Sequence, residues 1–364
     1  MRNATCWMRW MGTIGAALVS SVTACGEEAV VGGAPEGEGT GAPVGTDQLP
    51  SGSSGDDRTP AGTPKPAPPS DFSCAPGRPG AAGDKTLTLT VAGAQRTVLV
   101  HAPKGYDPTK GTSLVLAFHG YGGSAAQMKT QTGFDAEADK RNLVVAYAEG
   151  TGIASKGFNG GDCCGAPAWT NETDDLAFAR EIAKKLKADY CIDPKRVYSA
   201  GFSNGGFMSY RFVCEAANEF AAVASVSGVL GTPPESCKPA RSVPILHVHG
   251  TADTTVPYQG GAAAGGLGII AGITFRSVAE TVGTFKKSFT CGEASKPVSQ
   301  KGDTKCEAWS GCKAGSSIEL CTVDGGGHQW PGGTPTASPT AGKTSKDFVA
   351  STAMLDFFAA HPMP

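Results

Sequence analysis

The chain has 364 residues, a formal net charge of −2 and 40% hydrophobic residues. Proteins that bind nucleic acids usually carry a strong basic excess, so this charge balance argues against a nucleic-acid partner. The hydrophobic fraction is sufficient for a substantial core, whereas 51 glycines and 25 prolines indicate many loops or a low-complexity segment.

The N-terminus has the pattern of an export signal. Arg2 and Arg9 precede an apolar stretch at 11–22 that is too short to span a bilayer. The stretch runs into VTAC, which resembles the bacterial lipobox, in which the cysteine is lipidated after cleavage. We therefore expect residues 1–24 to be a lipoprotein signal peptide and Cys25 to anchor the exported protein to a membrane. Ordinary cleavage nearby, with an incidental cysteine, is the alternative.

A segment of unusual composition follows the signal. Residues 26–70 contain no aromatic side chain and are rich in glycine, proline, serine and threonine. Such a segment cannot bury enough apolar surface to offset the entropy that it would lose on ordering. We predict a flexible linker over residues 25–71, one folded domain over residues 72–364, and a location outside the cell or in the cell envelope.

The cysteines indicate disulfides rather than a metal site. Besides Cys6 and Cys25 there are ten, and an even number in an exported chain favours disulfide bonds. Zinc binding is the competing interpretation, but the spacing contains neither a CxxC nor an HxxxH pair, so we expect no metal. Because a ring joining neighbouring residues is strained, Cys163 and Cys164 are expected to bond to different partners.

Hydrophobic periodicity predicts strands and helices in alternation. The two segments that open the domain alternate polar and apolar residues around Gly93, as in a β-hairpin. Later strands are nearly continuous apolar runs, which suits burial on both faces of a parallel sheet. The predicted strands are 85–91, 95–103, 113–118, 143–148, 196–200, 221–227, 243–250 and 317–323. The predicted helices are 174–190, one that follows Ser203 and runs to Phe212, 277–289 and 345–360.

This order of elements indicates an α/β fold. An antiparallel entry followed by alternating strands and helices predicts a mostly parallel central sheet with helices on both faces, here stabilised by disulfides. In such sheets, ligands bind beyond the carboxyl ends of the strands. Functional side chains are therefore expected in the turns that directly follow strands.

The pentapeptide GFSNG, residues 201–205, lies between a predicted strand and a predicted helix. In that setting G-x-S-x-G forms a tight turn in which the serine is strained and the flanking glycines avoid steric overlap. The N-terminus of the following helix favours developing negative charge. Alternatively, the glycines only mark a loop, since a glycine-rich chain can produce this pattern by chance. The context favours Ser203 as a nucleophile.

A serine nucleophile requires a base, and histidine is the usual one. His328 lies in a glycine-rich loop just after the strand predicted at 317–323, from which its side chain can reach over the sheet. We expect His328 to be the base. His247 and His249 lie within a predicted strand, upstream of its end, so structural roles are expected for both.

The base in turn needs a carboxylate that orients it. Asp253 follows the strand predicted at 243–250, while its rival, Asp324, precedes His328 by only four residues on the same loop. We prefer Asp253 for this reason. The order Ser203, Asp253, His328 along the chain is the nucleophile–acid–histidine order of the α/β-hydrolase fold.

Backbone N–H groups can stabilise the negative charge that develops on a carbonyl oxygen under attack. One donor is expected from Asn204, the residue after the nucleophile. A second is expected from Tyr121 in the loop HGYGGS, which follows the strand predicted at 113–118. Together these two N–H groups would form an oxyanion hole.

Four sequence blocks, HGYGGS, GFSNGG, HGTADTTVPY and GGGHQWPGG, together resemble the secreted poly(3-hydroxybutyrate) depolymerase and feruloyl esterase family of α/β-hydrolases. The resemblance covers roughly residues 85–358. It implies serine ester hydrolysis without a metal or an organic cofactor. It also implies catalytic roles for Ser203, Asp253 and His328.

The expected substrate is a soluble ester. Trp169 and Trp330 lie near the motifs and are candidates for contact with the substrate, and the sequence contains no recognisable polymer-binding module. We therefore expect feruloyl or acetyl esters of plant polysaccharides such as xylan, or hydroxyalkanoate esters, as substrates of a monomer. A serine peptidase on the same fold and a non-catalytic surface lipoprotein that binds polysaccharide are the alternatives.

Overall fold

The structure, a computed structural model, describes residues 70–152, 155–164, 173–263, 273–338 and 340–364. The expected signal peptide, the lipidation site Cys25, the linker up to residue 69 and Trp169 lie outside these residues. None of the helices in the described ranges combines the length and the apolar character needed to cross a bilayer.

Strands and helices alternate along the described chain, as the hydrophobic periodicity predicts. The strands are β1 (Gly83–Val91), β2 (Ala94–Ala102), β3 (Thr112–Phe118), β4 (Leu143–Ala148), β5 (Ile192–Phe202), β6 (Ala222–Val226), β7 (Ile245–Gly250), β8 (Gly261–Ala262), β9 (Thr274–Phe275), β10 (Lys296–Lys301), β11 (Thr304–Trp309) and β12 (Ile318–Val323). The α-helices are α1 (Ala125–Thr132), α2 (Phe134–Arg141), α3 (Asp175–Asp189), α4 (Asn204–Glu215), α5 (Val278–Ser288) and α6 (Ala350–Ala360).

One large sheet organises the described residues, with the strand order β1-β2-β4-β3-β5-β6-β7-β12-β11-β10. Neighbouring strands from β4 to β12 in that order run parallel. At each edge the sheet continues through antiparallel strands, β2 and β1 on one side and β11 and β10 on the other. The prediction of an α/β fold with a mostly parallel sheet is confirmed.

Each face of the sheet is covered by its own helices. Along β4, Val144 and Ala146 belong to one hydrophobic core, and Val145 and Tyr147 belong to the other. Helices α3, α4 and α5 pack on the first core, whereas α1, α2 and α6 pack on the second. Because both faces are buried, the central strands read as continuous apolar runs in the sequence.

Helices α1 and α2 and strands β8 to β11 escaped the sequence-based prediction. Helices α1 and α2 are short and polar, so their apolar periodicity is weak; Ser124 accepts the N–H of Gln127 at the start of α1, and Gly133, with φ 60°, ends it. Strand β10 lies at the sheet edge, is mostly exposed and contains Pro297. Its polar composition is typical of edge strands that resist pairing with other chains, and it lacks an alternating pattern.

Five disulfides join the ten cysteines of the described residues. The pairs are Cys74–Cys191, Cys163–Cys164, Cys214–Cys237, Cys291–Cys312 and Cys306–Cys321. Disulfide bonding is therefore confirmed, but the expectation of different partners for Cys163 and Cys164 is wrong. The other eight cysteines pair with one another, which leaves these two buried neighbours only each other as partners.

Candidate active site

Ser203 occupies a tight turn between the end of β5 and the start of α4. Its backbone has φ 52° and ψ −118°, a conformation that residues other than glycine rarely adopt. A Cβ at Gly201 would overlap the carbonyl oxygen of Gly205, and a Cβ at Gly205 would overlap that of Phe118. Both glycines of the G-x-S-x-G motif are thus sterically required by this turn.

The helix that follows Ser203 begins directly at the turn. The carbonyl oxygen of Ser203 accepts the N–H groups of Gly206 and Phe207, at 2.7 and 3.0 Å. Asn204 is the first residue of α4, and N–H groups in the first turn of a helix have no partner within the helix. Negative charge that develops beside Ser203 would therefore face the positive end of α4.

Asp253 and His328 form a direct pair at the same edge of the sheet. The Nδ1 atom of His328 lies 2.7 Å from Oδ2 of Asp253. Strands β7 and β12 are adjacent and parallel, so the loops that follow them, which carry these two residues, leave the sheet together. A Cβ at Gly250 would overlap the carbonyl oxygen of Gly326, so glycine allows this close approach of the loops. The contact favours Asp253 over Asp324, as predicted.

Asp253 is an ionised carboxylate in a buried position. Its Oδ1 atom accepts the backbone N–H groups of Thr255 and Val256, at 2.9 and 2.8 Å. Burial by itself would raise the pKa of Asp253, but the charge of His328 and the hydrogen bonds from His249 and His328 outweigh burial and lower that pKa. The carboxylate can therefore orient the imidazole and stabilise a proton on it.

The imidazole of His328 lies next to the serine turn. Its ring centroid is 5.0 Å from that of Phe202, the residue directly before Ser203. His328 and Ser203 keep small exposed fractions of 9% and 7%. Both side chains are therefore largely shielded and still border solvent.

The loop after β3 packs against the serine turn. A Cβ at Gly120 would lie 3.2 Å from Cβ of Ser203, so this loop and the nucleophile are in close contact. Nδ1 of His119 donates to the carbonyl oxygen of Gly120 at 2.7 Å, and its Nε2 accepts the N–H of Gly150 at 3.0 Å. Burial lowers the pKa of His119, which agrees with a neutral ring in this role.

Tyr121 and Asn204, the two predicted oxyanion-hole residues, lie near the same point. A Cβ at Gly157 would lie 2.9 Å from the ring of Tyr121 and 3.1 Å from Oδ1 of Asn204. The side chain of Asn204 holds this neighbouring segment, since it accepts the N–H of Phe158 and donates to its carbonyl oxygen. The main chains after β3 and β5 are thereby brought together beside Ser203.

A cleft of about 540 Å³ opens beside the loop after β3. Its described lining includes Tyr121, Gln127, Met128, Phe202 and Thr334, and it contains no lysine, arginine, aspartate or glutamate. Because Phe202 precedes Ser203 and Tyr121 lies in the loop that contacts it, the cleft adjoins the candidate nucleophile. An uncharged cleft of this size suits a small neutral organic group.

The expectation for Trp330 requires a correction. Its side chain is completely buried, its Nε1 donates to Oγ of Ser351 at 3.0 Å, and its ring contacts that of Phe134. A ring without exposed surface cannot touch a substrate, so Trp330 belongs to the core behind the site. Trp169, the other tryptophan expected at the substrate, lies outside the described residues.

Two histidines that the sequence suggested to be structural are close to the site. Nε2 of His249 lies 3.4 Å from Oδ2 of Asp253, and Nε2 of His247 lies 3.1 Å from Nδ1 of His249. Residues 247 and 249 are two positions apart on β7, so their side chains lie on one face of the strand that leads to Asp253. In the sequence, the only sign of this arrangement is HVHG at 247–250, which places two histidines on one strand face and ends three residues before Asp253.

Two groups of potential metal ligands occur among the described residues. In the first, Cys306 and Cys321 accompany Glu319, but the two cysteines form a disulfide. The second comprises Asp84, His101 and Asp135, and there Nζ of Lys129 lies 2.8 and 2.7 Å from the two carboxylates. A lysine ammonium thus already supplies positive charge to this second group.

Comparisons with known proteins agree with this geometry. The family described as Phospholipase/Carboxylesterase matches residues 106–267. The chain is 33% identical over 293 residues to "Putative esterase NocK" of Nocardia uniformis subsp. tsuyamanensis, a match that covers 75% of this chain and 83% of that protein. It is 34% identical over 239 residues to "Feruloyl esterase B" of Piromyces equi, covering 64% of this chain and 42% of the relative. The chain thus spans less than half of the length of this second relative.

A solved structure shares the architecture. The acetyl xylan esterase from Aspergillus awamori superposes with a TM-score of 0.51 at 14% identity, covering 70% of this chain and 96% of that one. At this identity the likeness shows the fold alone. Fold, sequence relatives and site geometry agree, and the chain belongs to the α/β-hydrolase esterase family.

Proposed function

We propose that this protein is a secreted, membrane-tethered serine esterase that works through an acyl-enzyme. The observation that carries the proposal is the 2.7 Å contact between His328 and Asp253, beside the strained turn of Ser203. A carboxylate that holds Nδ1 leaves Nε2 of the imidazole for proton exchange with a serine hydroxyl. Ser203, Asp253 and His328 are therefore proposed as nucleophile, orienting acid and base.

The proposed reaction has two halves. Oγ of Ser203 attacks the ester carbonyl carbon while its proton moves to Nε2 of His328. The bond to the alcohol oxygen then breaks, and the alcohol leaves with that proton. Water attacks the acyl-enzyme in the second half, passing a proton to His328; the acid is released as the proton returns to Ser203.

Negative charge on the carbonyl oxygen is proposed to be stabilised by backbone N–H groups. Asn204 contributes one from the start of α4, and Tyr121 contributes the other from the loop that contacts Ser203. Donors held in place before the reaction act strongly because they need no reorganisation when charge develops. No metal or organic cofactor takes part in the proposed reaction.

The cleft beside Ser203 supports a neutral acyl group. Burying a charged group there would cost desolvation without a charged partner among the described lining residues. A feruloyl group is neutral and carries a hydroxyl and a methoxy group that amide and hydroxyl side chains can bind. Since one relative is a feruloyl esterase, we propose feruloyl esters of plant polysaccharides first, and acetyl or hydroxyalkanoate esters as smaller substrates.

Trp169 is proposed to line the same site. The segment that precedes it ends near the nucleophile, since Nδ2 of Asn204 lies 4.0 Å from Sγ of Cys163. Trp169 is the fifth residue after Cys164. An aromatic ring at that distance along the chain can reach a feruloyl ring bound beside Ser203.

The location of the protein is the remaining part of the proposal. The disulfides of the described residues indicate an oxidising compartment outside the cytosol. We propose that Cys25 carries the lipid anchor, that residues 25–71 form the linker, and that residues 72–364 act as a monomeric catalytic domain. In Cys25→Ser, the protein should move from the detergent-rich phase to the aqueous phase on Triton X-114 partitioning; unchanged partitioning would contradict the anchor.

The nucleophile can be tested with a matched pair of serine variants. We expect Ser203→Ala to lose hydrolysis of p-nitrophenyl acetate by at least about 10⁴-fold and to lose labelling by a fluorophosphonate probe. Ser227→Ala is the control, because Ser227 follows the neighbouring strand β6 and has the same φ of 52°. Retained activity in Ser203→Ala, or equal losses in both variants, would overturn the proposal. A wild-type protein that binds xylan but never reacts with the probe would indicate a binding protein instead.

The substrate class can be tested by filling the cleft. Ala126 lies exposed on α1 at the cleft wall, so a tryptophan there adds bulk without disturbing the core. We expect Ala126→Trp to lower kcat/KM for methyl ferulate by about tenfold or more, a difference of about 1.4 kcal/mol, and to spare p-nitrophenyl acetate. Equal effects on the two esters would argue against acyl binding in this cleft.

A further inference from the structure

A chain of buried hydrogen bonds ends at the turn that carries Asp253. The hydroxyl of Tyr210 lies 2.6 Å from Nδ1 of His247, and Nε2 of His247 lies 3.1 Å from Nδ1 of His249. Nε2 of His249 then lies 2.8 Å from the carbonyl oxygen of Val256 and 3.4 Å from Oδ2 of Asp253. Tyr210 is only 1% exposed, and the two histidines are 0% and 1% exposed.

The partners determine which nitrogen carries each proton. The carbonyl oxygen of Val256 can only accept, so Nε2 of His249 is the donor and, in the neutral ring, its Nδ1 is the acceptor. Nε2 of His247 then donates to that Nδ1, and Nδ1 of His247 accepts the hydroxyl proton of Tyr210. All the donors of the chain therefore point in one direction, from α4 towards the carboxylate.

The surroundings of His247 and Tyr210 keep these two groups of the chain neutral. Complete burial and the neighbouring His249 hold the pKa of His247 well below its ordinary value. Burial also raises the pKa of Tyr210, so its hydroxyl keeps the proton that it donates. Tyr258, whose ring contacts that of His249 at 5.7 Å, keeps its hydroxyl bonded to Thr322.

We propose that Tyr210, His247 and His249 are positioning residues that act through Asp253 on the base His328. This inference rests on the proposed esterase function. Nε2 of His249 bonds to Val256 and lies 3.4 Å from Oδ2 of Asp253, the oxygen that contacts His328 at 2.7 Å. The N–H of His249 therefore offsets part of the negative charge that holds His328.

The same histidine also holds the turn that carries Asp253. Val256 donates its N–H to Oδ1 of Asp253 and offers its carbonyl oxygen to His249. A displacement of His249 would therefore loosen two contacts of the turn at once. Positioning of this kind affects kcat more than KM, because it concerns the orientation of the base and not the binding of the ester.

The test compares two substitutions of one residue. His249→Phe keeps a flat ring but lacks the N–H, so kcat should fall roughly 10- to 100-fold, as for loss of one hydrogen bond to a charged group. With one donor fewer, Asp253 attracts the proton of His328 more strongly. The acid limb of the kcat/KM profile should therefore move to higher pH by about half a unit or more. His249→Gln carries an N–H that can reach the same oxygens and should restore the profile.

The control removes buried hydrogen bonds from the same helix without touching the histidines. Ser209 bonds to Ser199 at 2.9 Å and to the carbonyl oxygen of Gly205. Ser209→Ala should lower stability and leave the pH profile unchanged. If folded His249→Phe keeps the wild-type kcat and acid limb, or shares the behaviour of Ser209→Ala, the positioning role is refuted.

A measurement on the unmodified protein guards against variants that fail to fold. Histidine ¹⁵N NMR of the full chain should show the Nε2–H tautomer at His247 and at His249, as the partners of their ring nitrogens require. An Nδ1–H tautomer at either position would overturn the inference. This readout does not depend on activity, so it remains informative even if Ser203→Ala proves active and the proposed esterase mechanism fails.

Discussion

The turns that follow the neighbouring strands β5 and β6 share a strained serine but differ in their surroundings. Ser203 follows β5 and Ser227 follows β6, and both serines have φ 52° at the carboxyl edge of parallel strands. Ser203 starts a helix, contacts the loop of Gly120 and retains 7% exposure. Ser227 is completely buried, and the described residues 228–244 that follow it contain no helix. A strained serine backbone is thus insufficient for nucleophilic chemistry; the helix end, the neighbouring loop and access to a substrate distinguish the two turns.

The largest expected effect is a loss of kcat on substitution of Asp253, the proposed acid partner of the site at the β5 turn. Asp253→Asn should lower kcat about 10⁴-fold, because the amide no longer stabilises the charged imidazole or its correct tautomer. Asp324→Asn is the matched control, since Asp324 is exposed and bonds to Thr251. Steady-state kinetics on p-nitrophenyl acetate would measure both. Comparable losses in the two variants would contradict the assignment of Asp253.

A second effect follows from the crowding of the β5 turn. Gly205→Ala would place a methyl group on the carbonyl oxygen of Phe118, and we expect the free energy of unfolding to fall by more than about 3 kcal/mol. Gly283→Ala, at an uncrowded position in α5, should instead raise it by about 0.5 to 1 kcal/mol. Urea unfolding followed by circular dichroism would measure both changes. A tolerated methyl group at residue 205 would show that this turn is less confined than the contacts indicate.

A smaller effect is the pH dependence of stability that Asp253 contributes. Folding lowers the pKa of Asp253, so its stabilising contribution is complete above its unfolded pKa of about 3.9 and disappears as pH falls through the folded value. The difference in unfolding free energy between wild type and Asp253→Asn should be constant above about pH 5 and shrink below about pH 4. Urea titrations from pH 3 to pH 7 would measure it. A difference that grows on acidification would show the opposite sign of the shift.

The smallest expected effect is a change in stability on substitution of Ser227 in the β6 turn. Oγ of Ser227 is buried and has no hydrogen-bond partner among the described residues. Replacing an unsatisfied buried hydroxyl removes a desolvation cost, so Ser227→Ala should leave stability unchanged or raise it by up to about 1 kcal/mol. Thermal unfolding would measure the change. A loss of more than 1 kcal/mol would reveal a partner for this hydroxyl and a structural role for the turn.

The local features of the site could be predicted because they depend on short stretches of sequence. G-x-S-x-G between an apolar strand and a helix indicated the turn of Ser203, and the structure gives it the expected strained backbone. Asp253 and His328 each follow a predicted strand, and the structure brings them to a distance of 2.7 Å. Their catalytic roles, with those of the oxyanion-hole residues, remain predictions.

Other expectations failed because they concern contacts between distant segments. The vicinal pairing of Cys163 and Cys164 depends on where the other eight cysteines meet, which spacing does not reveal. Trp330 lies near the motif in sequence, yet its ring turns into the core against α2 and α6. The short distance between His249 and Asp253 likewise depends on the turn after β7, which the position of His249 within a strand does not reveal.

By itself, the sequence determined the alternation of strands and helices, the class of the sheet and the positions of the strand-end turns. These features follow from hydrophobic periodicity and from backbone sterics within a few residues. Only the tertiary structure decided which side chains meet across those turns: the cysteine pairs, the burial of Trp330 and the hydrogen-bond chain from Tyr210 to the turn of Asp253. Such contacts join segments far apart in the chain, and their geometry depends on how the whole sheet and its helices pack.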